Sequence, residues 1–465
     1  MVRHGALQQG IARTAVQDRR SRALPVRHRD PRHRVGCRPQ DRKVHGRPRP
    51  GDRQYRLPIR GPEGRRLLPQ RREGLHPLGG NRRLRSRVSS FDHKSRRARF
   101  QARLAELSVD VAMCLPSGDL EYLTGFPRRA PSFGNIEYAH QWTTGALIRP
   151  EGEPVFVVPQ GYSSFNLPGG VEGDVVQVRN LDDGVEVFAR TLARFGPIRR
   201  IGLSARTFSR TAVRMVELTG GAELVDLDDE INALRRVKEP EELDAMRRSG
   251  RICDLTMGEI TSSVAAGVTE FEISSRVEYL MRKHGGKYPS FDTGVFAMGP
   301  ALDRDASTRL TAEPLVEGLG VSFDFGTVVD GYCSDFGRTI HIGEPDDRYR
   351  EAYGLVLAAQ EAGRRAAVPG NTASEVNAAT RAVIDEAGYG DWFRHRTGHC
   401  IGLDTHERPF LSEEDTTVLE EGMTFTIEPS IFWPGTVGVR VEDMFVCRPG
   451  GAECMNNYSP DLVAV

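Results

Sequence analysis

The chain has 465 residues, 38% of them hydrophobic, and a formal net charge of +1, which is long enough for more than one core. That near-neutral sum is a cancellation, because residues 1–90 hold 25 Lys and Arg against 6 Asp and Glu while the rest hold 39 against 57. No apolar run approaches the roughly 20 residues needed to span a bilayer, and seven scattered cysteines form neither metal-spaced pairs nor a disulfide framework, so a soluble, cytoplasmic protein is expected.

Residues 1–90 contain a single aromatic, Tyr55, amid Arg, Pro and Gly. Such a stretch cannot bury enough apolar surface to offset its ordering entropy, and it is expected to be disordered. Arg, Pro, Gly and Ala are also what GC-rich DNA yields out of frame, so it reads best as misread upstream sequence, with Val88 a candidate start. It lacks a signal peptide's apolar core and the aromatic interleaving of a nucleic-acid platform, and no nucleic-acid partner is expected.

From residue 91 to about 230 the pattern is α/β. A helix is expected over Phe100–Leu107, a buried strand over Val109–Leu115, a hairpin over 146–158 turning at Glu151-Gly152, and a strand at Arg200–Leu203 followed by a helix that stops at Gly220. A linker helix then opens a second domain, 231–465, at Lys238-Glu-Pro240, where proline suits the first helical turn.

The second domain contains one unit twice. Thr269-Glu-Phe-Glu272 and Thr372-Ala-Ser-Glu375 are capping boxes that open helices ending at Gly285 and Gly388. Each is followed by a hairpin bearing two acids, at a constant offset of 103 to 104 residues. In the first, Asp330-Gly331 is the turn signal, and a centre between Val329 and Asp330 sets Asp324 opposite Asp335. In the second, a turn centred on Gly435 sets Glu428 across from Glu442. Opposed side chains in a ladder lie about 4.5 to 5.5 Å apart, and like charges there are destabilising unless a cation lies between them. Two facing acid pairs, with His399 between them in sequence, therefore call for two divalent ions, which in hydrolases sit about 3.5 to 4 Å apart around an activated water. Oxygen-rich ligation with one imidazole makes Mn²⁺ the expected ion, with Co²⁺, Fe²⁺ and Zn²⁺ as alternatives.

These residues carry a resemblance. From about Arg235 onward the chain resembles the pita-bread metallopeptidases, the group of prolidase, aminopeptidase P, methionine aminopeptidase and creatinase. The matching segments are Asp324-Phe-Gly with Asp335, His395-Arg-Thr-Gly-His399 through His406-Glu407, Gly422-Met-Thr-Phe-Thr-Ile-Glu428-Pro429, and Gly438-Val-Arg440-Val-Glu442-Asp443. Residues 92–230, with Asp119-Leu-Glu-Tyr-Leu-Thr-Gly-Phe126, resemble the creatinase/prolidase N-terminal domain, which points to the Xaa-Pro peptidase branch. The resemblance implies an α/β (α+β) architecture with a pseudo-twofold catalytic domain. It implies Asp324, Asp335, His399, Glu428 and Glu442 as ligands of a dinuclear site whose bridging hydroxide cleaves the Xaa-Pro bond of short peptides. Glu428 would double as acid/base, His406 would donate to the developing oxyanion, His395 would bind substrate, and Arg440 would orient the carboxylates. A homodimer is also implied.

Two departures qualify this. Prolidase-like enzymes carry a histidine on a loop before the first metal aspartate, yet residues 297–307 contain none, so Arg304 or Asp305 is expected to grip substrate instead. Cys400 stands where glycine is common, and is read as a small buried thiol rather than an extra ligand. The alternatives are a creatinase-like hydrolase of a small C–N-bonded metabolite and a catalytically silent binding protein.

Overall fold

The computed structural model describes residues 91–128, 139–167 and 170–465; the expectations for residues 1–90 fall outside it. In the amino-terminal part the helix α1 (His93–Glu106) begins about two turns before Phe100, capped by Asp92, whose side chain accepts the Ser95 N–H at 2.9 Å. The expectation missed this start because the first turns are basic. Arg96 and Arg97 are buried there by ion pairs to Glu239 and Glu153, both at 2.7 Å, and hydropathy does not register a buried cation that is paired.

Then come β1 (Val111–Cys114), α2 (Gly118–Thr124), β2 (Gly145–Ile148), β3 (Val155–Pro159), α3 (Gln160–Asn166), β4 (Asp174–Val178), α4 (Gly184–Ala193), β5 (Arg200–Leu203), α5 (Ser209–Thr219), β6 (Glu223–Asp226) and α6 (Asp228–Arg235). The strands form one mixed sheet in the order β4-β3-β2-β1-β5-β6. Its central strand divides its side chains between two cores, Ala112 and Cys114 on one face and Val111 and Met113 on the other, as the two-residue period of a strand requires. The hairpin pairs Gly145 with Val157, and α5 stops at Gly220 in the left-handed region, both as expected.

The carboxy-terminal part opens with α7 (Pro240–Ile260) and α8 (Glu270–Lys283), followed by β7 (Gly294–Met298), β8 (Gly320–Phe325), β9 (Val328–Val329), β10 (Tyr332–Cys333) and β11 (Phe336–His341). The pattern then recurs with α9 (Asp347–Ala366), α10 (Ala373–Glu386), β12 (Gly398–Cys400), β13 (Glu407–Leu411), β14 (Thr424–Ile427), β15 (Ser430–Trp433), β16 (Val437–Arg440) and β17 (Asp443–Val446). Both capping boxes form. The N-cap threonines even make equivalent bridges, Thr269 with Pro314 and Thr372 with Val418. Each copy is a helix pair followed by an antiparallel ladder with a two-stranded ribbon at its end, β9–β10 or β15–β16.

The two ladders differ in how well their register was legible. In the second, Ser430 pairs with Arg440 and Ile427 with Asp443, which puts Glu428 across from Glu442 as expected. In the first, Asp324 pairs with Gly337 rather than with Asp335. The reason is the turn. Asp330 and Gly331 both have positive φ and are the two central residues of a tight hairpin flanked by the pair Val329–Tyr332, one place later than expected. A pair register displaced by two keeps both acids on one face and makes them diagonal neighbours. Among the described residues, no helix is long and apolar enough to cross a membrane.

Candidate active site

Gly337 is the middle of the site. Its backbone pairs with Asp324 on one side and forms an isolated bridge with Glu442 on the other, with N–H···O distances of 3.1 and 2.9 Å. A Cβ there would lie 2.9 Å from Glu442 Oε2, so the absent side chain is what leaves room for the carboxylates. Asp335, immediately before β11, and His399, on β12, face the same space. His399 Nε2 is 3.4 Å from both Asp335 Oδ2 and Glu428 Oε1. One oxygen each of Asp335 and Glu442 and a nitrogen of His399 all lie within 4.8 Å of one another.

The electrostatics of this cluster are unbalanced. Burial pushes the Asp335 carboxyl up to about 6, with the charges of Asp324 and Glu428 adding to it against a hydrogen bond from His399. Burial raises Glu442 well above the usual range, helped by Asp335 and Glu428. Burial would lower His399, but Asp335 and Glu428 hold it above its ordinary value. Asp335 Oδ1 and Glu442 Oε2 are buried without a hydrogen-bond partner, a costly state for charged oxygens. His399 Nδ1 lies 3.1 Å from the Cys400 carbonyl and donates to it, which turns the Nε2 lone pair toward the carboxylates. Donor set, orphaned oxygens and an aimed imidazole together fit divalent cations.

One cation is already built in. Arg440 places Nη1 2.7 Å from Asp324 Oδ2 and 3.8 Å from Glu442 Oε2, and Nη2 3.5 Å from Glu428 Oε2. His406 stands edge-on to His399, ring centroids 4.2 Å apart; burial and the charges of His399 and Arg396 depress it to about 4, so it is neutral near neutral pH. His395 is lowered to about 3 by burial and Arg440. Its Nδ1 donates to the Arg396 carbonyl at 2.8 Å, and its Nε2 lies 2.6 Å from Ser430 Oγ. Both its nitrogens are engaged by protein, and any substrate it binds must displace Ser430. All eight side chains singled out in the sequence line one cavity of about 790 Å³, a size suited to a small ligand.

The loop before Asp324 departs from expectation. Arg304 is committed elsewhere, to Glu270, to the Ala297 carbonyl at 3.0 Å and to Thr311 at 3.0 Å, and Asp305 pairs with Arg394 at 2.7 Å. The residue of this loop that reaches the site is Arg309, whose Nη1 is 3.2 Å from Asp324 Oδ2 and whose guanidinium lies over the Phe296 ring. Its side chain is 40% exposed, against 7% for Arg440. The sequence signal was a cation two residues beyond the stretch searched for a histidine. Cys400, by strand alternation, points away from His399 into a core with Leu411 and Phe425, where burial pushes its thiol up to about 12; it is no ligand.

Comparison with known proteins places this geometry in a family. The model of Metallopeptidase family M24 matches residues 244–449, and that of the Creatinase/Prolidase N-terminal domain matches 96–237. The uncharacterized peptidase YqhT of Bacillus subtilis is 34% identical over 366 residues, 77% of this chain and 96% of that protein. The chain belongs to metallopeptidase family M24. Within that family, the Xaa-Pro dipeptidase of Pyrococcus furiosus is 34% identical over 291 residues, 62% of this chain and 80% of its own length. The crystal structure of a prolidase from Thermococcus sibiricus superposes with a TM-score of 0.72 at 27% identity, covering 81% of this chain and all of that one. The chain is thus an M24 peptidase with a creatinase-type N-terminal domain, and divalent metal ions are the cofactors that its family implies.

Proposed function

We propose that this peptidase hydrolyses the Xaa-Pro bond of short peptides, with Asp324, Asp335, His399, Glu428 and Glu442 holding two divalent ions, Mn²⁺ being the first to test. The observation that carries the reading is the convergence of Asp335, His399 and Glu442 within 4.8 Å with two of their buried oxygens lacking a hydrogen bond; preference for proline is supported by relatives named Xaa-Pro dipeptidase. Bound there, such ions would supply Lewis acidity and acidify a water near neutral pH.

The chain's own groups divide the remaining work. Glu428, whose Oε1 accepts from the Thr426 hydroxyl at 3.2 Å, takes the water's proton and returns it to the leaving nitrogen, a role open to a carboxylate held within reach of both. Neutral His406 donates its N–H to the oxygen on which negative charge develops. Arg440 keeps Asp324 and Glu428 in place as a fixed cation that cannot be deprotonated. Arg309, half-exposed and 3.2 Å from Asp324 Oδ2, grips an anionic group of the substrate, such as the free carboxylate of a dipeptide.

The test is turnover by purified full-length chain with Mn²⁺ on Xaa-Pro dipeptides, longer Xaa-Pro peptides, matched Xaa-Ala peptides and cyclic amidines. Proline-dependent release of the first residue is expected. Equal turnover of the alanine series, or turnover of the amidines alone, sinks the proposal.

A further inference from the structure

His406 lies in the segment 401–406 that joins β12 to β13; Thr405 donates to the Ser290 carbonyl at 3.2 Å and the Gly402 carbonyl accepts the Cys333 N–H at 2.8 Å, but the guanidinium groups that fix it come from the amino-terminal part of the chain. Asp404 faces three guanidinium groups: Arg128 at 2.9 Å, Arg206 at 2.9 Å and Arg235 at 2.7 Å. Glu407 pairs with Arg235 and with Lys238 Nζ at 3.0 Å, and its Oε1 accepts the Asp404 N–H at 3.1 Å. The turn is therefore closed on both sides of the histidine. Arg128 reaches furthest. Its Nε donates to Glu121 of α2 at 2.6 Å, and its Nη2 to the carbonyls of Leu403 and of Gly331, the latter at 2.9 Å. One side chain thus joins α2 to the His406 segment and to the turn of the ladder that leads to Asp335.

Packing does not explain this arrangement. Behind His406 is a second cavity of about 220 Å³, lined by Asp119, Arg206, Arg235 and Glu407 among others, and His406 lines both cavities. Apart from its edge contact with His399, a side chain that forms the wall between two voids has few of the close contacts that hold a core residue in place. Charged forks of fixed geometry do that here.

We propose that Arg128 and Arg235 are positioning residues for His406, through which the amino-terminal part contributes to catalysis; this rests on the oxyanion role assigned to His406 above. Arg235 is almost fully buried among three carboxylates, and its removal would take from each of them a buried cationic partner at a cost that endangers folding. Arg128 is the better probe.

In the full-length chain, Arg128→Gln is expected to lower kcat about tenfold to a hundredfold, the effect of displacing a reacting group by about 1 Å, with KM within about twofold. The amides of residues 402–407 should exchange faster with deuterium, a readout independent of turnover. In a His406→Ala background the same substitution should cost less than about twofold, since residues that act through one group are not additive. Asp404→Asn cuts the link from the other side and carries the test if Arg128→Gln does not fold. An equal loss in both backgrounds, or unchanged exchange across 402–407, overturns the proposal alone. A His406→Ala variant with undiminished kcat overturns the role of His406, and the proposal with it.

Discussion

At the scale of single residues, the site depends on one missing side chain and one unforeseen cation. Gly337→Ala would bring a Cβ to 2.9 Å from Glu442 Oε2 and 3.0 Å from Glu442 Cβ, with both neighbours held by backbone pairing. The expected result is a loss of more than about tenfold in activity, as strain from overpacking of about 1 to 3 kcal/mol moves the acids apart, with bound divalent metal per chain falling and the circular dichroism spectrum unchanged. Retention of full metal content would show that the space is not needed. Arg309→Ala should raise KM for free dipeptides about tenfold to a hundredfold, the worth of a charge-assisted hydrogen bond, and leave KM for C-terminally amidated peptides unchanged. Equal effects on acid and amide would remove Arg309 from substrate recognition. The four acids stood out in the sequence because charge opposition in a ladder is a periodic signal, and His399 because it lies between the two pairs. Arg309 and the closed contacts of Arg304 were not legible, because the reach of a loop side chain follows no period.

At the scale of elements, what sequence conveyed best was local chemistry with a fixed spacing. Both capping boxes formed, and so did the glycine stops after α8 and α10 and the proline start of α7. Thr269 Oγ1 accepts the Glu272 N–H at 3.2 Å while Glu272 returns to the Thr269 N–H at 2.9 Å. Thr269→Ala should therefore cost about 1 kcal/mol of stability, read as a lower urea midpoint, while kcat stays at the parent value because the cap is remote from the cavity. A fall in kcat would mean that α8 positions the site directly. Where long-range pairing decided, the reading slipped. The first ladder's register turned on whether Asp330 adopts positive φ, and the start of α1 on whether Arg96 finds a buried carboxylate. Neither can be read from neighbours in the sequence alone.

At the scale of the whole molecule, two charged clusters of opposite imbalance set how stability depends on pH and on metal. The first joins the amino-terminal part to the His406 segment. Burial works against ionised Asp404, but Arg235, Arg206 and Arg128 hold its carboxyl well below the usual range, and Arg235 and Lys238 lower that of Glu407 against its own burial. A carboxyl depressed in the fold contributes stability that is present above its unfolded pKa, about 4, and is lost as pH falls toward its folded value. The second cluster has the reverse sign. Asp335 is raised to about 6 and Glu442 is raised as well, so their contribution is present below about pH 4 and lost as pH rises through about 6. The metal-stripped chain is therefore expected to be most stable where the two limbs meet, near about pH 4, and to weaken both toward stronger acid and toward neutral pH. Divalent ions bind the ionised acids and act on the neutral limb only, because protonation and metal compete for the same oxygens. At about a hundred times its Kd, an ion that binds only the folded chain adds about 2.7 kcal/mol. Thermal unfolding of stripped protein, with and without Mn²⁺, should show an upward shift of several degrees at about pH 7.5 and a much smaller one at about pH 5. A shift of the same size at both would mean that the ion binds somewhere other than the facing acids.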